Sequence, residues 1–330
     1  MTVHELSERE LVSRVQQRLS PAPPWLAVGI GDDAAVVESE RNRLEVVTVD
    51  AVVDGVHFDR RFTPPDAIGH RALAVNLSDL AAMGAAPRFA LLSFLLPADL
   101  AVDDFDGIVG GIATLAASER VTVVGGNLTR TPGPLAIDIT AVGTVKRRSV
   151  MTRSGARPGD IVYVTGSIGA AAAGLQMLRG AVTAKVESCV ERYLRPAARM
   201  RAGLLLGRNR AASACVDLSD GLADGVARIA EASGVGVTID ASDLPVDADA
   251  RGAFESLGID QIDAAIAGGD DYELLFTVRP RMRGRLRAVV DRCGVPMTRI
   301  GVCTDDKALV VRATPDGPFR PLPAGFTHFR

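Results

Sequence analysis

Hydrophobic positions in this chain follow two rhythms, and each change of rhythm marks an element. Short apolar runs with β-branched content at 25–30, 44–49, 89–95, 121–124 and 135–144 predict strands. Between them, 67–83 and 103–118 place apolar residues at helical spacing, the first built mostly of Ala and Leu. Near the start, Ser7 followed by Glu10 has the form of a capping box opening a short amphipathic helix, which the Pro-rich stretch 21–24 ends. Residues 146–160, rich in Arg, Ser, Gly and Pro, read as a junction. The alternation then resumes. Strands are predicted at 161–164, 235–239, 273–278 and 308–312, and Cys215 lies in a further apolar strand-like run. Helices are predicted from Ala170, over 187–206 with a break or kink at Pro196, and over 221–232 and 281–292. The pattern predicts an α+β protein of two α/β-type domains, 1–145 and 146–330.

Composition narrows the class. Hydrophobic content of 47% with 23% charged residues describes a globular chain that buries cores. A net charge of −3 and 4% aromatics offer neither a basic footprint nor a stacking platform, so no nucleic-acid partner is expected. The basic run Lys146-Arg147-Arg148 reads as a solvated stretch. Cys189, Cys215, Cys293 and Cys303 lack metal-site spacing, and Cys215 suits a core position. Reduced thiols, no signal-like N-terminus and no apolar run of bilayer length predict a cytoplasmic protein without membrane partners.

The candidate chemistry lies in five acidic segments with apolar or small flanks: 29–33, 48–50, 76–79, 217–220 and 268–271. Only the fourth has Arg within a few positions. A desolvated carboxylate needs a cation or several donors to stay ionised. Oxygen-only ligands select Mg²⁺, Mn²⁺ or Ca²⁺ over zinc, and Gly-rich turns beside them suggest Mg²⁺ on a phosphorylated substrate. Asp79 is unfavourable inside a helix of Ala and Leu; either a metal or a hydrogen bond from Ser78 or Asn76 accounts for it. Residues 74–80 echo 215–221, which suggests that both halves contribute acids to one function. Gly29-x-Gly31 is not a dinucleotide fingerprint, because two acids in the turn repel a pyrophosphate and no crossover helix follows. Residues 164–169 fit either a phosphate cradle or close glycine packing. No P-loop, protein-kinase motif set or nucleophile elbow is present. His57, after a Gly turn, is either a donor to an anion or a loop residue of no role, and His70 is a packed or rim residue.

Taken in order, GIGDDAAV at 29–36, VTVDAVVDGVHF at 47–58, ALAVNLSDLAAMGA at 72–85, GGNLT at 125–129, TRSGARPGD at 152–160, VDLSDGLADG at 216–225 and GGDDYELLFT at 268–277 resemble the thiamine-monophosphate kinase family. That family belongs to the aminoimidazole ribonucleotide synthetase-like ATP-binding superfamily. The resemblance implies ATP-dependent conversion of thiamine monophosphate to thiamine diphosphate with several Mg²⁺ ions, in a homodimer paired through the N-terminal sheets. It implies metal positions at Asp33, Thr48, Val49 (through its carbonyl), Asp50, Asp79, Asn127, Asp217 and Asp220. It further implies ATP contacts at Gly126, Asn127, Arg153 and Ser219, and thiamine-phosphate contacts at His57, Asp270 and Phe326. Asn127 and Asp270 depart from the pattern, which commonly has Asp and Glu there. Two rivals are an aminoimidazole ribonucleotide synthetase-like ligase and a non-catalytic Mg-nucleotide-binding regulator, the latter favoured by Asn127. Turnover separates them.

Overall fold

The computed structural model describes residues 1–182, 185–313 and 317–325. The chain divides into two compact units: residues 1–80 with 86–146, and residues 81–85 with 147–330.

In the first unit, α1 (Glu8–Arg18) starts at Ser7, whose hydroxyl and backbone exchange hydrogen bonds with Glu10 as the capping box requires. A small hairpin, β1 (Leu26–Val28) with β2 (Val36–Val37), carries the Gly-Ile-Gly-Asp-Asp turn at its tip. Then follow β3 (Leu44–Val53), α2 (Pro65–Ala82), β4 (Ala86–Pro97), α3 (Val102–Glu119), β5 (Thr122–Thr131) and β6 (Ala136–Val145). The four long strands form a sheet in the order β3-β6-β4-β5, antiparallel except for β4–β5, which α3 connects. Helix α2 is buried around most of its circumference, as its Ala/Leu content demands. It lies close against α3, where a Cβ on Gly69 would meet the Ile108 carbonyl oxygen at 1.9 Å. The predicted end of β5 at the glycine pair is incorrect. Pairing with β4 continues through Gly125, Gly126 and Asn127, because a register shift at Ala90/Leu91 absorbs the irregularity.

The second unit contains β7 (Ile161–Thr165), α4 (Ala170–Leu178), α5 (Glu187–Leu194), α6 (Met200–Asn209), β8 (Ala214–Asp217), α7 (Leu222–Ser233) and β9 (Gly236–Asp240). These are followed by α8 (Ala248–Ser256), α9 (Gln261–Ala267), β10 (Leu274–Val278), α10 (Arg283–Cys293), β11 (Met297–Thr304), β12 (Leu309–Arg312) and β13 (Phe319–Pro321). Its sheet runs β13-β12-β9-β11-β7-β10-β8. Pro196 falls between α5 and α6 and separates two helices where one interrupted helix was predicted. One core cluster joins sheet residues such as Val164, Val216 and Leu275 to Val226 and Ile229 of α7. A second lies among α4, α5 and α8, around Met177, Cys189 and Phe254. The sequence reading missed α8 and α9. Both are short, yet Asp247 and Asp260 cap them by accepting backbone N–H groups, a signal present in the sequence.

Candidate functional site

Strand alternation divides β3 between two faces. Thr48 and Asp50 are half-buried on one; Val47 and Val49 stand on the other, 63% and 57% exposed. The Thr48 hydroxyl donates to Asp79 Oδ2, which brings the second and third acidic segments together. Thr48, which the sequence reading does not name in this role, is therefore a partner of the helix-interior carboxylate. One turn earlier Asn76 is fully buried; its amide nitrogen donates to the Ala72 carbonyl at 3.1 Å, and its Oδ1 is buried without a hydrogen-bond partner. Such an oxygen suits a water or a hard cation. Asn127 lies elsewhere: it pairs with Ser93 in the cross-strand row continuing through Asp138 to Ala51, and Ala51 points away from Thr48 and Asp50. The Asn127 amide donates to Thr129 Oγ1 at 3.4 Å, and Gly126 beside it is exposed.

The first acidic segment differs from expectation. Asp32 and Asp33 are exposed, although their apolar sequence neighbours suggest burial. The Asp33 N–H donates to Asp32 Oδ1 at 2.9 Å, and Gln16 of α1 ties the turn through the Ile30 carbonyl at 3.0 Å. Beyond β3, the Val53 N–H donates to His57 Nδ1 at 3.1 Å. That bond makes Nδ1 the acceptor, so the neutral imidazole carries its proton on Nε2.

The fourth and fifth acidic segments are zipped together by backbone bonds in the second unit. The N–H groups of Asp270 and Tyr272 donate to Ser219 and Leu218 carbonyls at 2.7 and 2.9 Å, and the Leu218 N–H donates to the Glu273 carbonyl at 2.8 Å. The approach is close enough that a Cβ on Gly221 would lie 2.5 Å from the Gly268 carbonyl oxygen, so no side chain fits. Asp217, Ser219, Asp220 and Asp270 are thereby gathered on two adjoining loops. Asp217 is buried at the end of β8, Ser219 is exposed, and Asp220 meets Arg228 at 3.3 Å. Arg228 also pairs with Asp224, so the nearby arginine seen in the sequence is used. Arg153 is exposed, and its carbonyl accepts the Ser233 hydroxyl at 3.2 Å. Phe326 lies outside the described residues.

The fifth segment also closes the supposed phosphate cradle. Asp271 Oδ2 accepts the Gly169 N–H at 2.8 Å at the start of α4, so the chain's own carboxylate fills that helix terminus. Burial pushes the Asp271 carboxyl up to about 7, opposed by the Gly169 bond and the Arg192 charge. Next to it Glu273 is fully buried, held by Arg192 Nη2 at 2.6 Å, by Arg199 through Nε at 2.6 Å and Nη2, and by the Thr165 hydroxyl at 2.6 Å. Its carboxylate occupies the space a Cβ would take at Gly166. Asp270 and Tyr272 both have left-handed backbone, with φ of 68° and 50°. Such conformations cost about 1–3 kcal/mol each unless the surroundings hold them; the zipper, the α4 cap and the Glu273 ion cluster do so. This anchoring escaped the sequence reading, although Glu273 heads an otherwise apolar strand and Arg192 and Arg199 bracket Pro196.

The cysteines take no part. All four are buried free thiols, and burial pushes Cys189 up to about 11 and Cys303 up to about 12. The remaining donors are carboxylates, a hydroxyl and amide carbonyls, the chemistry of Mg²⁺. Among the described residues no three His, Cys, Asp or Glu side chains converge as one metal cluster. Mg²⁺ commonly takes one or two carboxylates and completes its shell with water and phosphate oxygens, so this donor set fits it.

Comparison with known proteins gives a family to this arrangement. Residues 31–145 match the model of the AIR synthase related protein, N-terminal domain, and residues 157–314 that of the C-terminal domain. A thiamine-monophosphate kinase of Bacillus subtilis (strain 168) is 35% identical over 309 residues, 92% of this chain and 94% of the relative. The crystal structure of thiamine-monophosphate kinase from Stenotrophomonas maltophilia K279a superposes with a TM-score of 0.81 at 38% identity, covering 95% of this chain and 98% of that one. AaThiL complexed with AMPPCP and TMP has a TM-score of 0.77 at 32% identity, covering 100% and 99%. The chain belongs to the thiamine-monophosphate kinase family, and its two α+β units are of the AIR synthase type.

Proposed function

As a member of that family the chain, we propose, transfers the terminal phosphoryl group of ATP to thiamine monophosphate, giving thiamine diphosphate and ADP. The observation that carries this reading is the likeness along the whole chain to a protein that binds AMPPCP and TMP together. The zipped loops support it, since they gather the carboxylates such a transfer needs without a nucleophile or strong base. A phosphate monoester is largely ionised at neutral pH, so it attacks without a base to deprotonate it. The difficulty is bringing two polyanions together.

We assign Asp33, Thr48, the Val49 carbonyl, Asp50, Asp79, Asn127, Asp217 and Asp220 to several Mg²⁺ ions. Bound Mg²⁺ supplies charge neutralisation and alignment of phosphate oxygens. Thr48 orients the Asp79 carboxylate through its hydroxyl. Gly126, Asn127, Arg153 and Ser219 are assigned to ATP, with the exposed Arg153 guanidinium adding positive charge. His57 offers its Nε2–H to the acceptor phosphate, Asp270 reads the thiamine moiety, and Phe326 stacks on a ring. A homodimer is the proposed assembly. Val47, Val49 and Leu91 are exposed apolar residues, and Val49, Thr140 and Leu91 fall in one cross-strand row of the first unit's sheet, a surface suited to a second copy. Reduced, buried thiols and the absence, among the described residues, of a helix long and apolar enough to cross a membrane support a cytoplasmic setting.

The test is thiamine diphosphate formation from ATP and thiamine monophosphate with Mg²⁺ and then with EDTA. Product in the first, none in the second and none from Asp79→Asn are expected. ADP release with formylglycinamidine ribonucleotide but not with thiamine monophosphate overturns the assignment.

A further inference from the structure

We propose that Tyr272 is a positioning residue for the acceptor, fixing Asp270 through its hydroxyl. The inference rests on the reading of Asp270 as the group that meets thiamine monophosphate. The Tyr272 hydroxyl donates to Asp270 Oδ1 at 3.2 Å across a two-residue separation. In an extended segment, residues two apart share a face but their side chains stand parallel; here both residues take left-handed backbone, which folds the loop so that ring and carboxylate meet. Tyr272 is 7% exposed and Asp270 half-buried, so the phenol comes from the protein side and leaves the acid at the edge of the loop.

The tyrosine cannot drift, because it is held on each side. Its own N–H donates to the Leu218 carbonyl, and Asp271 before it caps α4 at Gly169. Glu273 after it is fixed by Arg192, Arg199 and Thr165. A residue packed for stability alone does not need an outlying backbone conformation for a bulky aromatic ring. The conformation has a use if the hydroxyl must reach the neighbouring carboxylate. Two consequences are specific: Tyr272 contributes to acceptor affinity and leaves the nucleotide alone, and it does so only while Asp270 is present.

Calorimetric titration of thiamine monophosphate, and separately of a non-hydrolysable MgATP analogue, into the full chain tests this with Tyr272→Phe, Asp270→Asn and the double variant. Tyr272→Phe removes one oxygen and keeps the ring. It is expected to weaken thiamine monophosphate about tenfold, the scale of a hydrogen bond to a charged group, with nucleotide affinity unchanged as the internal check of folding. The double variant is expected to bind the acceptor no more weakly than Asp270→Asn alone. Additive losses, or an equal loss for the nucleotide, overturn the inference while leaving the function of Asp270 intact. Unchanged acceptor affinity in Asp270→Asn removes the reading of that residue and the inference with it.

Discussion

Adjacent acids with opposite fates mark the residue scale. Asp270 stands at a loop edge beside a tyrosine hydroxyl, whereas Asp271 is 2% exposed and bound to a helix N-terminus. The sequence shows two equivalent carboxylates; only burial tells them apart. Because Asp271 is pushed up to about 7, the folded chain keeps a proton that the unfolded chain releases near its ordinary value of 3.8. Its contribution to stability is therefore full at low pH, falls as pH rises from about 4 to about 7, and is flat above. Asp271→Asn, which keeps an acceptor for Gly169, removes that slope. Thermal unfolding midpoints at pH 4 to 8 should show the variant gaining on the parent up to about pH 7 and not beyond. Equal slopes would mean that Asp271 is ionised throughout. Asp33 is a contrary lesson, since its apolar sequence neighbours suggested a desolvated acid and the turn leaves it exposed.

At the scale of elements, the acid-bearing loops depend on an anchor built from helices far away in sequence. Glu273 at the head of β10 is fully buried between Arg192 of α5 and Arg199 at the start of α6. Removing one member of a buried ion cluster leaves the rest uncompensated, at a cost of about 3–5 kcal/mol. Glu273→Gln is thus expected to lower the unfolding free energy of the second unit, read from urea unfolding curves, by an amount of that order. A change below about 1 kcal/mol, the range of exposed pairs, would show that the arginines find other partners. The interruption at Pro196 was legible, but its purpose was not: by ending α5 it lets two arginines approach one carboxylate from different helices. The short helices α8 and α9 escaped detection because their apolar repeats are too brief to outweigh surrounding Gly and Asp. The strand predicted at 121–124 was cut short for the converse reason, since a glycine pair lowers local preference while the neighbouring strand supplies the pairing.

For the whole molecule, the exposed sheet face of the first unit carries the expectation of pairing. Val47 is 63% exposed on the outward face of edge strand β3, whose other face carries the half-buried Val46, Thr48 and Asp50 and the buried Val52. Val47→Asp places charge on that face without entering the core. Light scattering at micromolar concentration should report a dimer for the parent and a monomer for the variant. A parent that is already monomeric at that concentration contradicts the proposed assembly.

What the sequence determined by itself is the order of elements and the acidic turns between them, because hydrophobic periodicity, caps and Gly-rich turns act over a few residues. The tertiary structure decided which acids meet and which are spent on structure. Leu275 pairs with Val164 of β7 and with Val216 of β8, so the β10 register brings 268–273 against both 165–169 and 217–221. One carboxylate then reaches a helix terminus about a hundred residues away and another lies beside Asp220's loop. That choice is made by strand order and register, which depend on the packing of the whole unit and are written in no single segment.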